Sequence, residues 1–321
     1  MPAIYAHFRL GEDVRKELDG EEAEAVEAYP ELFRTGTHGP DILFYYRPLT
    51  HNAVSGLGHR MHAEAGSVFF ERAAEVLKGG RKSASSADKL SSGRAADTLR
   101  NSMNCSAAYS ATKMQECDRM TGEAVYYKET YDLASFAYVC GFLCHFALDV
   151  CCHGYIGDYI GSHGVSHAKI ESELDRELMV RDGFDPVSHS IVGHLAASDE
   201  NARIISRFYG RMPQVETEKE IKKALRSMIF YSGVLLAPSR AKRAVLNFGM
   251  NIIGAKGFQD MMIGLEKDPK CEESTANLIM KYGEAKKLAL HLIRNYRRQF
   301  LEKEEEPDEI YRYNFESQIP S

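Results

Sequence analysis

Residues 140–153 of this 321-residue chain read CGFLCHFALDVCCH, an apolar helical pattern interrupted by His145, Asp149 and His153. The three polar residues are spaced four apart, so an α-helix places them along one face. The Phe, Leu and Val residues beside them predict that this helix is buried. Burial of polar side chains is costly unless they are satisfied, and two imidazoles with a carboxylate suit a divalent cation such as zinc.

Residues 167–175 repeat this spacing with His167, Glu171 and Asp175. We expect the two helices to face each other across a Gly-rich connection at 154–164, so that their polar faces form a site for more than one ion. Each pattern taken alone is weak. A single His on an apolar helix face is often a satisfied core residue, and spaced acidic residues often form a solvated face.

Further candidate ligands lie earlier in the chain. Asp41 follows a Gly-Pro turn and precedes an apolar run, which predicts a carboxylate with a fixed direction. An isolated Asp in this position is equally typical of a helix N-cap or a turn. His59 and His62 are spaced for one helix face, and His7 lies close to the N-terminus.

The rest of the chain predicts an all-α fold, because apolar residues recur at helical spacing and alternating strand patterns are scarce. We expect a single all-α domain over 1–301, with the metal-site half at about 1–180, further helices at about 186–301, and a loosely held tail at 302–321. The predicted helices are Glu12–Leu18, Glu21–Tyr29, Leu57–Lys78, Ala87–Arg119, Glu129–His153, His167–Val180, Pro186–Met212, Glu218–Leu236, Ser239–Ile253 and Cys271–Glu305.

Composition narrows the classes of function. A net charge of −6 gives no basic field for a stable nucleic-acid partner. The odd number of Cys residues, 7, favours buried free thiols over a disulfide framework, although zinc ligation by Cys is an alternative. The first residues resemble no signal peptide and no eighteen-residue apolar run is evident, so we expect a cytoplasmic protein without a transmembrane segment.

Together these residues resemble the zinc-dependent phospholipase C family, whose relatives include helical zinc nucleases. The resemblance covers about residues 5–180 and implies an all-helical fold with two or three zinc ions. It implies that His145, His153, His167 and Glu171 are zinc ligands and that Asp149 bridges ions. Asp41, with His62 or His59, would complete the central site.

The third ion in secreted members of that family uses the amine of an N-terminal Trp. This sequence has no Trp, so the resemblance leaves His7, Asp149 and the amine of Pro2 as the candidate third site. It also implies hydrolysis of a phosphate ester, with a phospholipid or its head-group ester as the expected substrate and Asp41 as the general base.

The aromatic residues Tyr45, Tyr46 and Tyr155 are candidate walls of a substrate pocket, with core packing as the alternative. Two other functions remain open. One is a zinc-dependent single-strand nuclease or nucleotidase that uses the same ligands, and the other is a non-enzymatic scaffold stabilised by metal.

Overall fold

The computed structural model describes residues 3–79, 110–117, 124–210 and 217–320, with the backbone alone described at 110–117 and 124–130. Its fold is α-helical, as predicted. The helices are α1 (Ile4–Arg15), α2 (Gly20–Ala28), α3 (Pro30–Gly36), α4 (Ala53–Ala63), α5 (Gly66–Gly79), α6 (Leu133–His163), α7 (His167–Arg181), α8 (Asp199–Tyr209), α9 (Thr217–Leu235), α10 (Arg240–Ile252) and α11 (Glu272–Tyr296). Short 3₁₀ helices occupy Gly39–Tyr45, Lys256–Met261, Pro269–Cys271 and Glu309–Arg312, and a π-helical turn occupies Arg297–Leu301.

Helix α6 lies at the centre of the fold and contacts α1, α2, α3 and α11. Asp132 caps its first turn by accepting a hydrogen bond from the Ala134 amide at 3.2 Å. Within the described residues, α6 alone is long and apolar enough to span a membrane, contrary to the expectation that no such stretch exists. Its most apolar stretch is 94% buried among the other helices, as in the core helix of a helical bundle.

Helices α3 and α6 cross at two glycines. A Cβ added to Gly36 would lie 2.3 Å from the Tyr138 carbonyl oxygen, and one added to Gly141 would lie 2.0 Å from the Phe33 carbonyl oxygen. Neither distance is sterically possible, so both positions require glycine. This close crossing brings the chain that follows α3, including Asp41, against the polar face of α6.

An antiparallel hairpin precedes α6, where the sequence predicted helices. Strand β1 (Ser110–Cys117) pairs with β2 (Ala124–Thr130), with Ser110 opposite Thr130 and an irregularity between Met114 and Glu116. The predicted helix Ala87–Arg119 is therefore wrong over 110–117, and its remaining residues lie outside the described ranges. The residues of β2 include Val, Tyr and Thr, which favour strands, and the spacing of apolar residues alone missed that preference.

Several helices begin or end at residues other than those predicted. Helix α6 continues ten residues past the predicted end at His153, because the glycines within its last turns are tolerated there, and it ends at His163 before Gly164, whose φ is 63°. The predicted helix Leu57–Lys78 is two helices, since Glu64 is extended with ψ at 152°. Residues 186–198 form turns, and α8 begins only after Ser198, whose hydroxyl accepts from the Asn201 amide.

The predicted loosely held tail is wrong for residues 310–317, which are anchored to the core, whereas residues 303–307 are exposed. Tyr311 and Phe315 are each only 1% exposed and belong to the hydrophobic core. The Phe315 amide donates to the His62 carbonyl oxygen at 3.2 Å, and the Gly66 amide donates to the Tyr313 carbonyl oxygen at 2.8 Å. The charged run at 302–306 suggested solvation, whereas the aromatic residues after it anchor the segment beside α4, α5 and α6.

Candidate metal centre

Five of the predicted ligands form a group that we call the inner group. It consists of His7 from α1, Asp41 from the 3₁₀ helix, His62 from α4, and His145 and Asp149 from α6. All five side chains are buried. Helical spacing on α6 aligns its two members, and the α3–α6 crossing delivers Asp41 to the same place.

Asp149 is the centre of the inner group. Its carboxylate oxygens lie 3.3 Å from His7 Nε2 and 3.0 Å from His145 Nε2. Asp41 lies 3.0 Å from His62 Nε2 and 3.8 Å from His145 Nδ1. The nitrogen and oxygen atoms of each three-residue set in this group lie within 4.8 Å of one another, which is close enough to share an ion.

The outer group consists of His153, His167 and Glu171. Glu171 Oε1 lies 3.6 Å from His153 Nε2 and 3.1 Å from His167 Nε2. His153 Nε2 also lies 3.6 Å from Asp149 Oδ1, so Asp149 connects the two groups. The His167 side chain is 35% exposed, which leaves the outer group open to solvent on that side.

The polar atoms of the centre fit a set of metal ligands. His7 Nδ1, His145 Nε2, Asp149 Oδ2 and Glu171 Oε2 are buried without a hydrogen-bond partner. His145 Nε2 and Asp149 Oδ2 are 3.0 Å apart, yet their directions do not meet hydrogen-bond geometry. Two ligands of one tetrahedral zinc lie about 3.3–3.5 Å apart, so the separations of 3.0 to 3.6 Å match ligands that point at a shared cation.

Main-chain carbonyl groups orient three of the imidazoles. The Nδ1 atoms of His62, His145 and His153 lie 2.8, 3.3 and 2.6 Å from the carbonyl oxygens of Gly58, Thr37 and Phe315, respectively. In the neutral ring, an Nδ1–H that donates to a carbonyl leaves Nε2 without a proton and free to bind a metal. Main-chain atoms carry no residue signature, so the sequence does not reveal these carbonyl groups.

The turn that holds Asp41 is fixed by a glycine and two buried tyrosines. Gly39 has a φ of 47°, and a Cβ at this position would lie 2.3 Å from the His145 ring. The Tyr209 hydroxyl donates to the Gly39 carbonyl oxygen at 2.8 Å and lies 2.8 Å from the Tyr138 hydroxyl. The turn therefore cannot shift without breaking buried hydrogen bonds, which fixes the direction of the Asp41 carboxylate.

Asp175, the third residue of the α7 pattern, holds α1 in place instead of joining either group. Its carboxylate accepts hydrogen bonds from the amides of Tyr5 and Ala6 at 3.1 and 2.8 Å. These amides lie in the first turn of α1, where a helix leaves its N–H groups unpaired and favours negative charge. Asp175 thereby positions His7, which lies one residue further along α1.

Burial and mutual charge shift the pKa values of the centre. Although burial opposes it, Asp149 and Glu171 raise the pKa of His153 to about 10. Burial likewise lowers the pKa of His7 and of His62, but the charge and hydrogen bond of Asp149 and Asp41 raise each above its ordinary value. Burial raises the pKa of Asp149, and its histidine neighbours outweigh this and hold it well below the usual range.

A cavity of about 570 Å³ opens onto the outer group, a volume typical of sites for small molecules. It reaches Asp41 and His62 from the inner group and all three members of the outer group. Glu316, from the C-terminal segment, lines the same cavity and was not anticipated. His59 also lines it but is exposed and joins no ligand set, so the geometry favours His62 over His59 as the upstream ligand.

The three predicted pocket tyrosines do not line this cavity. Tyr155 is two residues beyond His153, which turns it to a different face of α6, and its hydroxyl accepts from Asn277 of α11 at 2.9 Å. Tyr45 is buried on the other side of the Asp41 turn, beside α9 and α10. Tyr46 is likewise buried, and its ring lies 6.0 Å from the Lys223 ammonium group. Phe44 is the aromatic residue of this run that faces the cavity.

The described cysteines take no part in the centre. Cys140, Cys144, Cys151, Cys152 and Cys271 are free thiols, and none of them joins a ligand set. Burial raises the pKa of Cys151 to about 11, which keeps this thiol protonated near neutral pH. These side chains behave as small apolar groups. The amine of Pro2, the candidate substitute in a third site, lies outside the described residues.

A protein-family model described as zinc dependent phospholipase C matches residues 6–232, more than two thirds of the chain. The chain belongs to the zinc-dependent phospholipase C family. The matched range contains both ligand groups, so the family match and the geometry describe the same part of this phospholipase C family member. No curated protein and no solved structure matches the chain.

Proposed function

We propose that this member of the zinc-dependent phospholipase C family is a phosphodiesterase that hydrolyses a phospholipid or its head-group ester. The observation that carries the proposal is Asp149, a buried carboxylate within 3.6 Å of histidines from both ligand groups. Zinc, when bound, activates water and stabilises the charge that develops on phosphate oxygens. A site for more than one ion suits a phosphodiester, which presents several oxygens at once.

We assign the roles of the candidate ligands from their positions relative to the cavity. His7, His145 and Asp149 of the inner group lie away from the cavity and supply fixed charge, whereas the outer group, Asp41 and His62 line the cavity, where the substrate would bind. Asp41 lines the cavity beside His62, and we propose it as the general base that orients the attacking water and accepts its proton. Burial raises the pKa of Asp41, but His145 and His62 lower it by more, so the pKa of this carboxyl lies below its ordinary value. The carboxylate is therefore ionised and able to accept a proton.

The proposal is tested by zinc content and turnover of variants. We expect His145→Ala and Glu171→Ala to fold, to bind less zinc per chain, and to lose most hydrolysis of a chromogenic phosphocholine ester. Asp41→Asn should lower turnover by about 10²–10⁴-fold. Unchanged turnover in both His145→Ala and Glu171→Ala would contradict the proposal.

The neighbouring histidines of α4 provide a matched control. His62→Ala should lower zinc content, since His62 belongs to the inner group, whereas His59→Ala should leave it unchanged. A parallel assay with single-stranded DNA tests the nuclease alternative. Hydrolysis of DNA without hydrolysis of any phosphocholine ester would contradict a lipid substrate and favour a nuclease that uses the same metal centre.

A further inference from the structure

A second cavity, lined almost wholly by apolar side chains, lies beside the cavity that opens onto the outer group, which we call the ligand-lined cavity. Its volume is about 260 Å³, and α9, α10 and the loop after Tyr45 form its walls. The two cavities share Pro48, Leu49 and Phe258, so they are neighbours separated by a thin apolar wall. Leu49 itself is 55% exposed, which is unusual for a large apolar side chain at the edge of two cavities.

Helix α10 presents apolar residues outward. It has no buried residue, and the side chains of Val245, Phe248 and Ile252 are 70, 68 and 68% exposed. Their spacing puts them on one stripe of the helix, which we call the α10 stripe. Val245 lies on both the stripe and the apolar cavity wall, so the stripe continues into the cavity.

The charges of α10 are all positive. Arg240, Lys242 and Arg243 occupy its first turn, where Arg243 points inward and donates to the Ile263 carbonyl oxygen, and Arg240–Ile252 contains no acidic residue. Lys256 follows in the next 3₁₀ helix, where Asp260 is the nearest acid in sequence and accepts from Ser166. An exposed apolar stripe with adjacent cations is the pattern of a helix that lies in the surface of a bilayer containing anionic lipid.

We propose that the α10 stripe docks on a phospholipid bilayer and that the apolar cavity receives an acyl chain of the lipid whose phosphate ester enters the ligand-lined cavity. This inference rests on the proposed function. The α10 stripe lies beyond residue 232, where the family match ends, so the inference concerns a surface that the family match does not include. A phospholipid has the required shape, because its phosphate ester and its acyl chains are joined through one glycerol unit.

A second copy of the chain is the competing occupant. In a symmetric dimer the same face of α10 would meet itself, and α10 has no acidic residue to pair with the cations of its first turn. Such an interface would leave these cations without a complementary charge. The same cations are favourable against anionic lipid, so the charge pattern selects the bilayer.

The absence of Trp from the sequence provides a direct test of docking. Phe248→Trp introduces a single indole on the α10 stripe, and Met280→Trp introduces one at a position on α11 that is 63% exposed. Both variants are mixed with vesicles of phosphatidylcholine, with and without phosphatidylglycerol. We expect a blue shift of emission for Phe248→Trp, stronger with phosphatidylglycerol and weaker at high salt, and no shift for Met280→Trp.

Sedimentation with the same vesicles tests the stripe by disruption. Phe248→Asp combined with Ile252→Asp should lower vesicle binding by about tenfold or more. Melting temperature and zinc content should stay unchanged, because neither residue lines either cavity. Equal shifts in both Trp variants, no shift with any vesicle, or a shift caused by protein concentration alone would overturn the docking proposal.

The cavity is tested separately through Gly249. Gly249 lines the apolar cavity, and a Cβ there meets no atom within 4 Å, so Gly249→Leu places an apolar side chain at the cavity wall without a backbone clash. We expect this variant to keep vesicle binding and to bind monomeric dihexanoylphosphatidylcholine about tenfold more weakly than the unaltered protein. Unchanged binding of that short-chain lipid would overturn the acyl-chain assignment.

These measurements separate the inference from the proposed function, because vesicle binding is recorded without turnover. A protein that hydrolyses a soluble phosphocholine ester but ignores vesicles contradicts only the docking surface. A protein that docks on vesicles but hydrolyses no phosphate ester contradicts only the proposed activity.

Discussion

At His153, zinc binding would require the imidazolium ring to release a proton. The negative charges of Asp149 and Glu171 outweigh burial and raise its pKa to about 10, so the imidazole of the metal-free protein is protonated at pH 7. In that state it stabilises the metal-free fold below the ordinary His pKa, and this contribution is lost as the pH rises through about 10. Zinc requires the neutral ring and therefore competes with the proton.

We accordingly predict that zinc affinity falls as the pH is lowered from 8 to 6, by about tenfold per pH unit for each proton displaced. Competition with a chelator at several pH values measures this slope, and calorimetry in buffers of different ionisation enthalpy counts the protons. His291→Gln, a change at an exposed histidine remote from the ligand groups, should leave the slope unaltered. An affinity independent of pH would show that His153 is neutral before zinc binds.

Residue patterns predicted the helical part of the centre because the geometry there is local. His145, Asp149 and His153 lie on one helix, so their spacing alone fixes their common direction. The choice between His59 and His62 could not be made in this way, since it depends on where α4 packs. Tyr45 and Tyr46 were predicted to line the pocket, whereas the 3₁₀ helix that ends at Tyr45 turns neighbouring side chains to different sides, so that Phe44 faces the cavity instead.

At the level of helices, the α3–α6 crossing sets the distance between Asp41 and the α6 ligands. We predict that Gly141→Ala lowers the free energy of unfolding by about 1–3 kcal/mol, because its Cβ would overlap the Phe33 carbonyl group of α3. Chemical denaturation of the purified variant measures the change. Zinc affinity should fall as well, since the crossing positions the Asp41 turn.

Gly157 is the matched control for this change, because it lies on the same helix and a Cβ there meets nothing within 4 Å. Gly157→Ala should therefore be neutral or stabilise α6 by about 0.5–1 kcal/mol. Equal effects of the two substitutions would mean that helix propensity, and not the crossing, accounts for the result.

Helix boundaries could be predicted only where the chain signals them. The predicted break at Gly154 was wrong, because a glycine inside a helix weakens it without necessarily ending it. Helix α6 ends instead at Gly164, whose positive φ is typical of a helix C-terminus. The hairpin before α6 was missed for a different reason. Strand pairing depends on a second segment, and a one-dimensional pattern of apolar residues does not identify it.

At the level of the whole molecule, the C-terminal segment closes the core behind the ligands. We predict that Phe315→Ala destabilises the fold by about 3–5 kcal/mol, since this ring is 1% exposed and packs between Phe146 and the His145 ring. Zinc affinity should fall by about 10–100-fold, because without the anchoring ring the main-chain carbonyl of residue 315, which orients His153, is no longer held in place.

Ile319→Ala provides the control for this prediction, since its side chain is 54% exposed. It should change stability by less than about 0.5 kcal/mol. Thermal unfolding with and without a chelator separates the two effects. If Phe315→Ala loses stability but keeps the zinc affinity of the unaltered protein, the contact between His153 and the main-chain carbonyl of residue 315 does not influence zinc binding.

The hydrogen bond from His153 to the Phe315 carbonyl group also dictates when the site can be completed. A ribosome synthesises α6 and α7 long before residue 315, so a nascent chain can present its helical ligands while His153 still lacks its orienting partner. We therefore expect the outer group to bind zinc stably only after residue 315 has been synthesised and folded, so ribosome-bound chains stalled before this residue should retain the ion poorly.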